Sequence, residues 1–200
     1  MKQALIIFVR NPVLGKVKTR LAATIGDEKA LDIYKELLQH TFNICSQVKA
    51  DKYVFYHEEI VTHDMWNAAG FHKKLQAPAD LGGKMKAAFL ELFNAGYKKV
   101  IIIGSDCMQL TPAIIESGYS MLQEKETVIG PAKDGGYYLL GLRIMHEFIF
   151  ENKKWSTASV FSQTLAELEQ HHLSTGLLPE LTDVDTEKDW LKSKKLCHDL

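Results

Sequence analysis

The chain has 200 residues, 46% of them hydrophobic, with 24 basic against 25 acidic side chains for a formal net charge of −1. A chain of this size buries roughly 70% of its unfolded surface, so residues 1–200 are expected to form a single domain with a full core. The balanced, well-mixed charge excludes a general pull toward nucleic acid or anionic membrane, so any anion site has to be local. Cys45, Cys107 and Cys197 are odd in number and lack CxxC spacing, which favours neither a disulfide framework nor a zinc knuckle. Reduced thiols in a soluble, cytoplasmic protein are expected. The apolar start, Ala4 to Val9, is too short for a signal-peptide core, and nothing approaches the ~20 apolar residues of a membrane span.

Ala4 to Val9 is apolar throughout and predicts a central strand. The following segment, Arg10-Asn-Pro-Val-Leu-Gly-Lys-Val-Lys-Thr-Arg20, opens on a loop signal and places Gly15 among Arg10, Lys16, Lys18 and Arg20. A basic, glycine-containing loop behind the first strand of an α/β sheet suits a polyphosphate, because N–H groups and cations converge on it; the plain alternative is a solvated basic loop. A Walker A loop would require Gly at Arg10 and Ser or Thr at Val17, so a P-loop NTPase is excluded. Asp27 to Val48 carries apolar residues at helical spacing, with Cys45 on the buried stripe. Tyr53 to Tyr56 predicts a second strand, Met65 to Ala69 a short helix closed by Gly70, and Phe71 to Gln76 a third strand. Leu81-Gly82-Gly83-Lys84 reads as a turn entering a helix from Met85 to Phe93 that ends at Gly96.

Val100 to Ile103, four β-branched residues, predicts a strand covered on both faces. Gly104 turns the chain, and Ser105 and Asp106 then sit at the carboxyl end, where open α/β sheets place ligands. Thr111 and Pro112 already start the next helix, which extends to Gln123, so Asp106 is not needed as its cap. Thr127 to Ala132 predicts a strand. Asp134-Gly135-Gly136 is a turn signal that favours a hairpin, although two glycines beside an acid also let backbone approach a ligand. Ser156 or Thr157 is the expected cap of a helix from Ala158 to Gln170. Gly176 to Leu181 is extended, and in the segment after it Asp183 and Asp185 alternate and project to one side. With Asp106 they would form an all-oxygen site for Mg²⁺ or Mn²⁺, unless Asp185 or Thr186 instead caps a terminal helix from Lys188 to Leu196. His171 and His172 are adjacent and cannot share a helix face, so zinc is not expected.

Five segments, FVRNPVLGKVKTRLA, IIIGSDC, GPAKDGGYYLLGL, WST and LTDVDTEKDW, together make the chain resemble a family of bacterial proteins with the glycosyltransferase A type of fold, within the nucleotide-diphospho-sugar transferase superfamily. Met108 stands where that family tends to carry Pro. The resemblance implies a three-layer α/β/α fold with a mostly parallel sheet, a nucleotide in the crevice, and a divalent metal on Asp106 and one of Asp183 or Asp185. It implies a transferase that takes a nucleotide or nucleotide-sugar donor and a small-molecule acceptor. Lys16, Lys18 and Arg20 would hold phosphate, Asn11 and Gly15 would contribute backbone, and Ser105 at the strand end would join them, with Gly135 and Gly136, in binding the nucleotide. Asp134, Gly135 and Gly136 would border the sugar or acceptor, with Lys18, Arg20 and Asp134 nearest the chemistry. Glycosyl transfer, nucleotidyl transfer with release of pyrophosphate, and a binding module without turnover all remain open at this point.

Overall fold

The computed structural model describes residues 2–68 and 70–198. In chain order its first half runs β1 (Gln3–Val9), α1 (Thr19–Ile25), α2 (Asp27–Gln47), β2 (Asp51–Tyr56), β3 (Phe71–Leu75) and α3 (Leu81–Asn94). Its second half runs β4 (Lys99–Ile103), α4 (Pro112–Met121), β5 (Thr127–Pro131), β6 (Tyr137–Leu142), α5 (Val160–Gln170), β7 (Thr175–Leu177) and α6 (Glu187–His198).

Side-chain alternation explains the layering. Along β1, Leu5, Ile7 and Val9 join one core cluster while Ala4 and Ile6 join the other; on β4, Ile101 and Ile103 divide from Val100 and Ile102 in the same way. Strands apolar on both faces have to be covered on both. On the first face α2 and α4 supply Tyr34, Leu37, Ile115 and Tyr119; on the second α3 and α5 supply Phe89, Leu92 and Leu168. The outcome is the expected three-layer α/β/α arrangement.

The seven strands are ordered β3-β2-β1-β4-β6-β5-β7. β1 pairs in parallel with β2 and β4, β2 with β3, and β5 with β7, whereas β6 runs antiparallel to both β4 and β5. The chain therefore builds outward from β1 through β2 to β3, then returns to place β4 on the opposite side of β1. That reversal between β1 and β4 is a switch point, which opens a crevice beyond their carboxyl ends.

Several boundaries differ from the sequence reading, each for a local reason. α3 starts at Leu81, so Gly82 and Gly83 belong to its first turn, and the Asp80 side chain caps it by accepting the Gly83 N–H at 2.8 Å. A Cβ at Gly82 would collide with the Trp155 indole nitrogen and come within 2.6 Å of the Phe150 carbonyl, so glycine is required by close packing there. α5 starts at Val160: Ser156 has φ 61°, and the Thr157 hydroxyl donates to the Lys154 carbonyl at 2.8 Å, so neither is its cap. Around Met65 a 3₁₀ turn, Met65–Asn67, replaces the short helix; Ala69 lies outside the described residues, as does the side chain of Cys197. Cys45 and Cys107 are buried free thiols. No helix among the described residues is long and apolar enough to cross a membrane.

Candidate active site

A cleft of about 900 Å³ runs along the carboxyl ends of β1 to β4 and is closed on its far side by the turns around Asp134, Trp155 and Asp183. Its volume falls in the range of cofactor and substrate sites, roughly 300–1,000 Å³.

One end of the cleft is acidic, and β4 builds it. The backbone carbonyl of Asp106 accepts the Val184 N–H at 2.9 Å, which fastens the extended segment carrying Asp183 and Asp185 beside the strand end. The terminal helix is capped without them: the Thr186 hydroxyl accepts the Asp189 N–H at 3.3 Å, and the Asp189 carboxylate accepts the Thr186 hydroxyl at 2.7 Å and the Thr186 N–H at 2.9 Å. Lys18, from the basic loop, places its Nζ 2.9 Å from Asp106 Oδ1 and 3.5 Å from Asp185 Oδ1, with only 6% of its side chain exposed. Arg20 reaches Asp185 Oδ2 at 3.5 Å from solvent. Burial pulls the Lys18 pKa down, but the charge and hydrogen bond of Asp106, joined by Asp185 and Asp183, outweigh it and hold the ammonium above its ordinary value. Lys18 also has φ 48°, and Ser156, across the cleft, has φ 61°. Left-handed conformations cost non-glycine residues about 1–3 kcal/mol and concentrate where ligands are held.

The acids outnumber that ammonium. Asp183 is pushed up to about 7, by burial first and then by Asp106 and Asp134, with Lys18 opposing. Among the described residues no three His, Cys, Asp or Glu side chains gather closely enough to ligate one ion. The expected set of Asp106, Asp183 and Asp185 is therefore not a closed cage, because the Lys18 ammonium stands between Asp106 and Asp185. What remains fits an open Mg²⁺ or Mn²⁺ site, the kind built from one or two carboxylates and completed by water and ligand phosphates. The carboxylates of Asp106, Asp183 and Asp185 at this end of the cleft, with burial and the neighbouring acids opposing the ionised form of Asp183, favour such a cation.

The other residues of the basic loop divide. Lys16 lines the cleft but pairs with Glu58 at 3.3 Å, both exposed. Lys16, Lys18 and Arg20 are thus all engaged with carboxylates. Asn11 and Gly15 do not line the cleft. Asn11 is buried, donating to the Glu59 carbonyl at 2.8 Å and accepting the Glu58 N–H at 3.0 Å, so it ties the turn after β1 to the turn after β2. Ser105 is buried with its hydroxyl 3.4 Å from that of Tyr34, which accepts the Arg10 N–H at 2.8 Å and donates to the Arg10 carbonyl at 3.1 Å. Tyr34→Phe leaves both Arg10 groups without their partner and is expected to cost about 1–3 kcal/mol. A urea midpoint equal to wild type would show that the hydroxyl does not brace the turn.

The Asp134 turn connects β5 and β6 as a hairpin. Asp134 Oδ1 accepts the Gly136 N–H at 2.9 Å, and both residues line the cleft. Gly135 does not line it: at φ 88° its carbonyl accepts the Phe161 N–H at 2.8 Å, and a Cβ there would fall on the Ala158 carbonyl. This glycine docks the hairpin onto the start of α5 and leaves ligand approach to Gly136.

Among the cleft residues given no role of their own from sequence are Arg10, His57, Gln76 and Lys84. Arg10, His57 and Gln76 directly follow β1, β2 and β3, so the strand-end rule that selected Asp106 would have selected them too. Trp155 forms a further wall, edge-on to Tyr137 with ring centroids 6.5 Å apart.

Residues 38–157 match the profile of a family described as "Uncharacterized protein conserved in bacteria", DUF2064. The chain belongs to this family. A crystal structure from Desulfovibrio desulfuricans G20, provisionally named a nucleotide-diphospho-sugar transferase, is 31% identical, with a TM-score of 0.87 over 93% of this chain and 84% of that one. This chain thus takes the nucleotide-diphospho-sugar transferase fold. The same fold recurs at low identity in the 4-diphosphocytidyl-2C-methyl-D-erythritol synthase of Anaerococcus prevotii (11%, TM-score 0.66, covering 98% of this chain and 96% of that one). It recurs again in the manganese complex of Rv0371c from Mycobacterium tuberculosis (11%, TM-score 0.60, 98% and 99%). No curated protein matches the chain.

Proposed function

We propose that this DUF2064 protein is a transferase dependent on a divalent cation and using a nucleotide-activated donor, with a nucleotide-diphospho-sugar as the favoured donor class. The observation that carries the reading is the acid cluster at the switch point, where Asp106 and Asp185 share the Lys18 ammonium and Asp183 lines the cleft beside them without an ion pair among the described residues. A module that only bound a nucleoside would have no use for that charge. Asp106 with Asp183 or Asp185 would hold Mg²⁺ or Mn²⁺, and the cation supplies charge stabilisation on the departing phosphate, an effect worth several kcal/mol. Lys18, kept protonated by the same acids, adds a second positive charge at that end and stays within reach of a phosphate oxygen. Asp134 and Gly136 border the space facing it, and Trp155 offers a flat apolar wall suited to a sugar ring.

Nucleotidyl transfer is the second reading, because cytidylyltransferases share the fold. It requires several cations on the β- and γ-phosphates of a triphosphate. Lys16, Lys18 and Arg20 pair with Glu58, Asp106 and Asp185, so among the described residues Arg10 alone of the loop's four cations has no carboxylate partner, which favours the glycosyl reading. Incubation with Mn²⁺ and a panel of nucleoside triphosphates and sugar nucleotides tests the choice. Release of nucleoside diphosphate from a sugar nucleotide is expected; release of pyrophosphate from a triphosphate would reverse the assignment.

A further inference from the structure

On the β1–β2–β3 side of the acids the cleft carries positive charge that, among the described residues, is in no ion pair. Arg10 follows β1, His57 follows β2, Gln76 follows β3, and Lys84 lies in the first turn of α3; all four line the same wall. Lys84 Nζ donates to His57 Nδ1 at 3.0 Å, and Gln76 Oε1 lies 3.4 Å from the same ring nitrogen. Among the described residues neither Arg10 nor Lys84 forms an ion pair. Asp80, the acid in the same turn, gives its carboxylate to the Gly83 N–H. Lys84 is held below its ordinary pKa by burial first and then by the charge of Arg10.

The wall is also rigid. The Gln76 amide nitrogen donates to the carbonyls of Val9 at 3.2 Å and Phe55 at 2.9 Å, locking three strand ends together, and Tyr34 fixes the Arg10 backbone from below. Pre-positioned cations with no internal counter-ion call for an external one, and a forked guanidinium beside an ammonium at a helix start matches a phosphoryl group.

We infer that Arg10 and Lys84, with His57 between the strand ends, form a phosphoryl-binding subsite separate from the acid-lined end of the cleft. The inference rests on the transferase reading only for the source of that group, which is either the terminal phosphate of a nucleoside triphosphate or a phosphomonoester on the second substrate. The subsite itself requires neither.

Inorganic phosphate and pyrophosphate, titrated calorimetrically in EDTA, are the direct probes, with Lys84→Met and Arg10→Met as variants. Both side chains lie at the surface of the cleft, so both variants are expected to fold, with wild-type circular dichroism as the check. Each should weaken pyrophosphate by at least about tenfold, the usual scale for a charged hydrogen bond. Mn²⁺ affinity measured without phosphate should stay unchanged. Two further titrations identify the source. A larger loss for a nucleoside triphosphate than for its diphosphate marks the terminal phosphate, and a loss confined to a sugar phosphate marks the second substrate. Wild-type affinity for phosphate and pyrophosphate in both variants, or no binding of either by the wild-type protein, would overturn the subsite. Metal-dependent nucleotide binding that survives in variants with unchanged phosphate affinity would sink the subsite and spare the transferase reading. Phosphate binding lost in the variants of a protein that shows no metal-dependent nucleotide binding would do the reverse.

Discussion

Asp106→Asn is expected to lower Mn²⁺-dependent affinity for nucleoside diphosphates by about 100-fold, the loss of several kcal/mol that follows when a metal carboxylate is neutralised. The side chain is half exposed, and the bond that organises its surroundings uses its backbone carbonyl, which accepts the Val184 N–H whatever the side chain is. Folding should therefore be intact. Lys18 keeps Asp185 as a partner in the variant, so its ammonium is not stranded in the cleft wall. Calorimetric titration with and without metal, beside a circular dichroism spectrum, checks both halves. Unchanged metal-dependent affinity would remove Asp106 from the cation site.

The largest effect on stability is expected from Gly135→Ala. Two costs add. A residue with a Cβ at φ 88° is strained by about 1–3 kcal/mol, and the new methyl group falls on the Ala158 carbonyl in a packed junction, an overpacking cost of about 1–3 kcal/mol. Relief requires the hairpin to move away from α5, which breaks the hydrogen bond from the Phe161 N–H to the Gly135 carbonyl and shifts Asp134 and Gly136 in the cleft. At roughly 2–4 °C per kcal/mol for a chain of this size, Tm should fall by about 4–24 °C. Gly136→Ala is the control, since its φ is not in the left-handed region and its added Cβ would meet only the Asp134 carboxylate at 3.2 Å. A Gly135→Ala protein as stable as that control would contradict the docking role.

How much of this was legible in the sequence follows from where the information lies. The β-branched run Val100 to Ile103 and the apolar run Ala4 to Val9 have nowhere to sit except inside a sheet covered on both faces, so the layered fold was readable. The position of Asp106 was readable for the same reason, since a strand that ends at a glycine delivers its next residues to the crevice. The pairing of the loop cations was not. Lys18 and Asp185 are 167 residues apart, and no local pattern shows that a buried ammonium will spend its charge on acids from the other end of the chain. The roles of the glycines were partly hidden likewise, because Gly82 answers to Trp155 and Gly135 answers to Ala158 across the fold as well as to its own turn. Asn11, marked by its place in a basic loop, turned out to fasten two loops by side-chain bonds to backbone groups 47 and 48 residues away. Arg10 was named with the basic loop but given no role of its own, and Lys84 was passed over, because only the fold shows that neither forms an ion pair among the described residues.

On the proposed function, the acid end of the cleft takes a divalent cation together with a nucleotide. Titration of a nucleoside diphosphate into the wild-type protein, once in Mn²⁺ and once in EDTA, tests it most directly. The account predicts affinity at least about 100-fold higher with the metal, as several kcal/mol of charge stabilisation require. Equal affinity in the two buffers would contradict it.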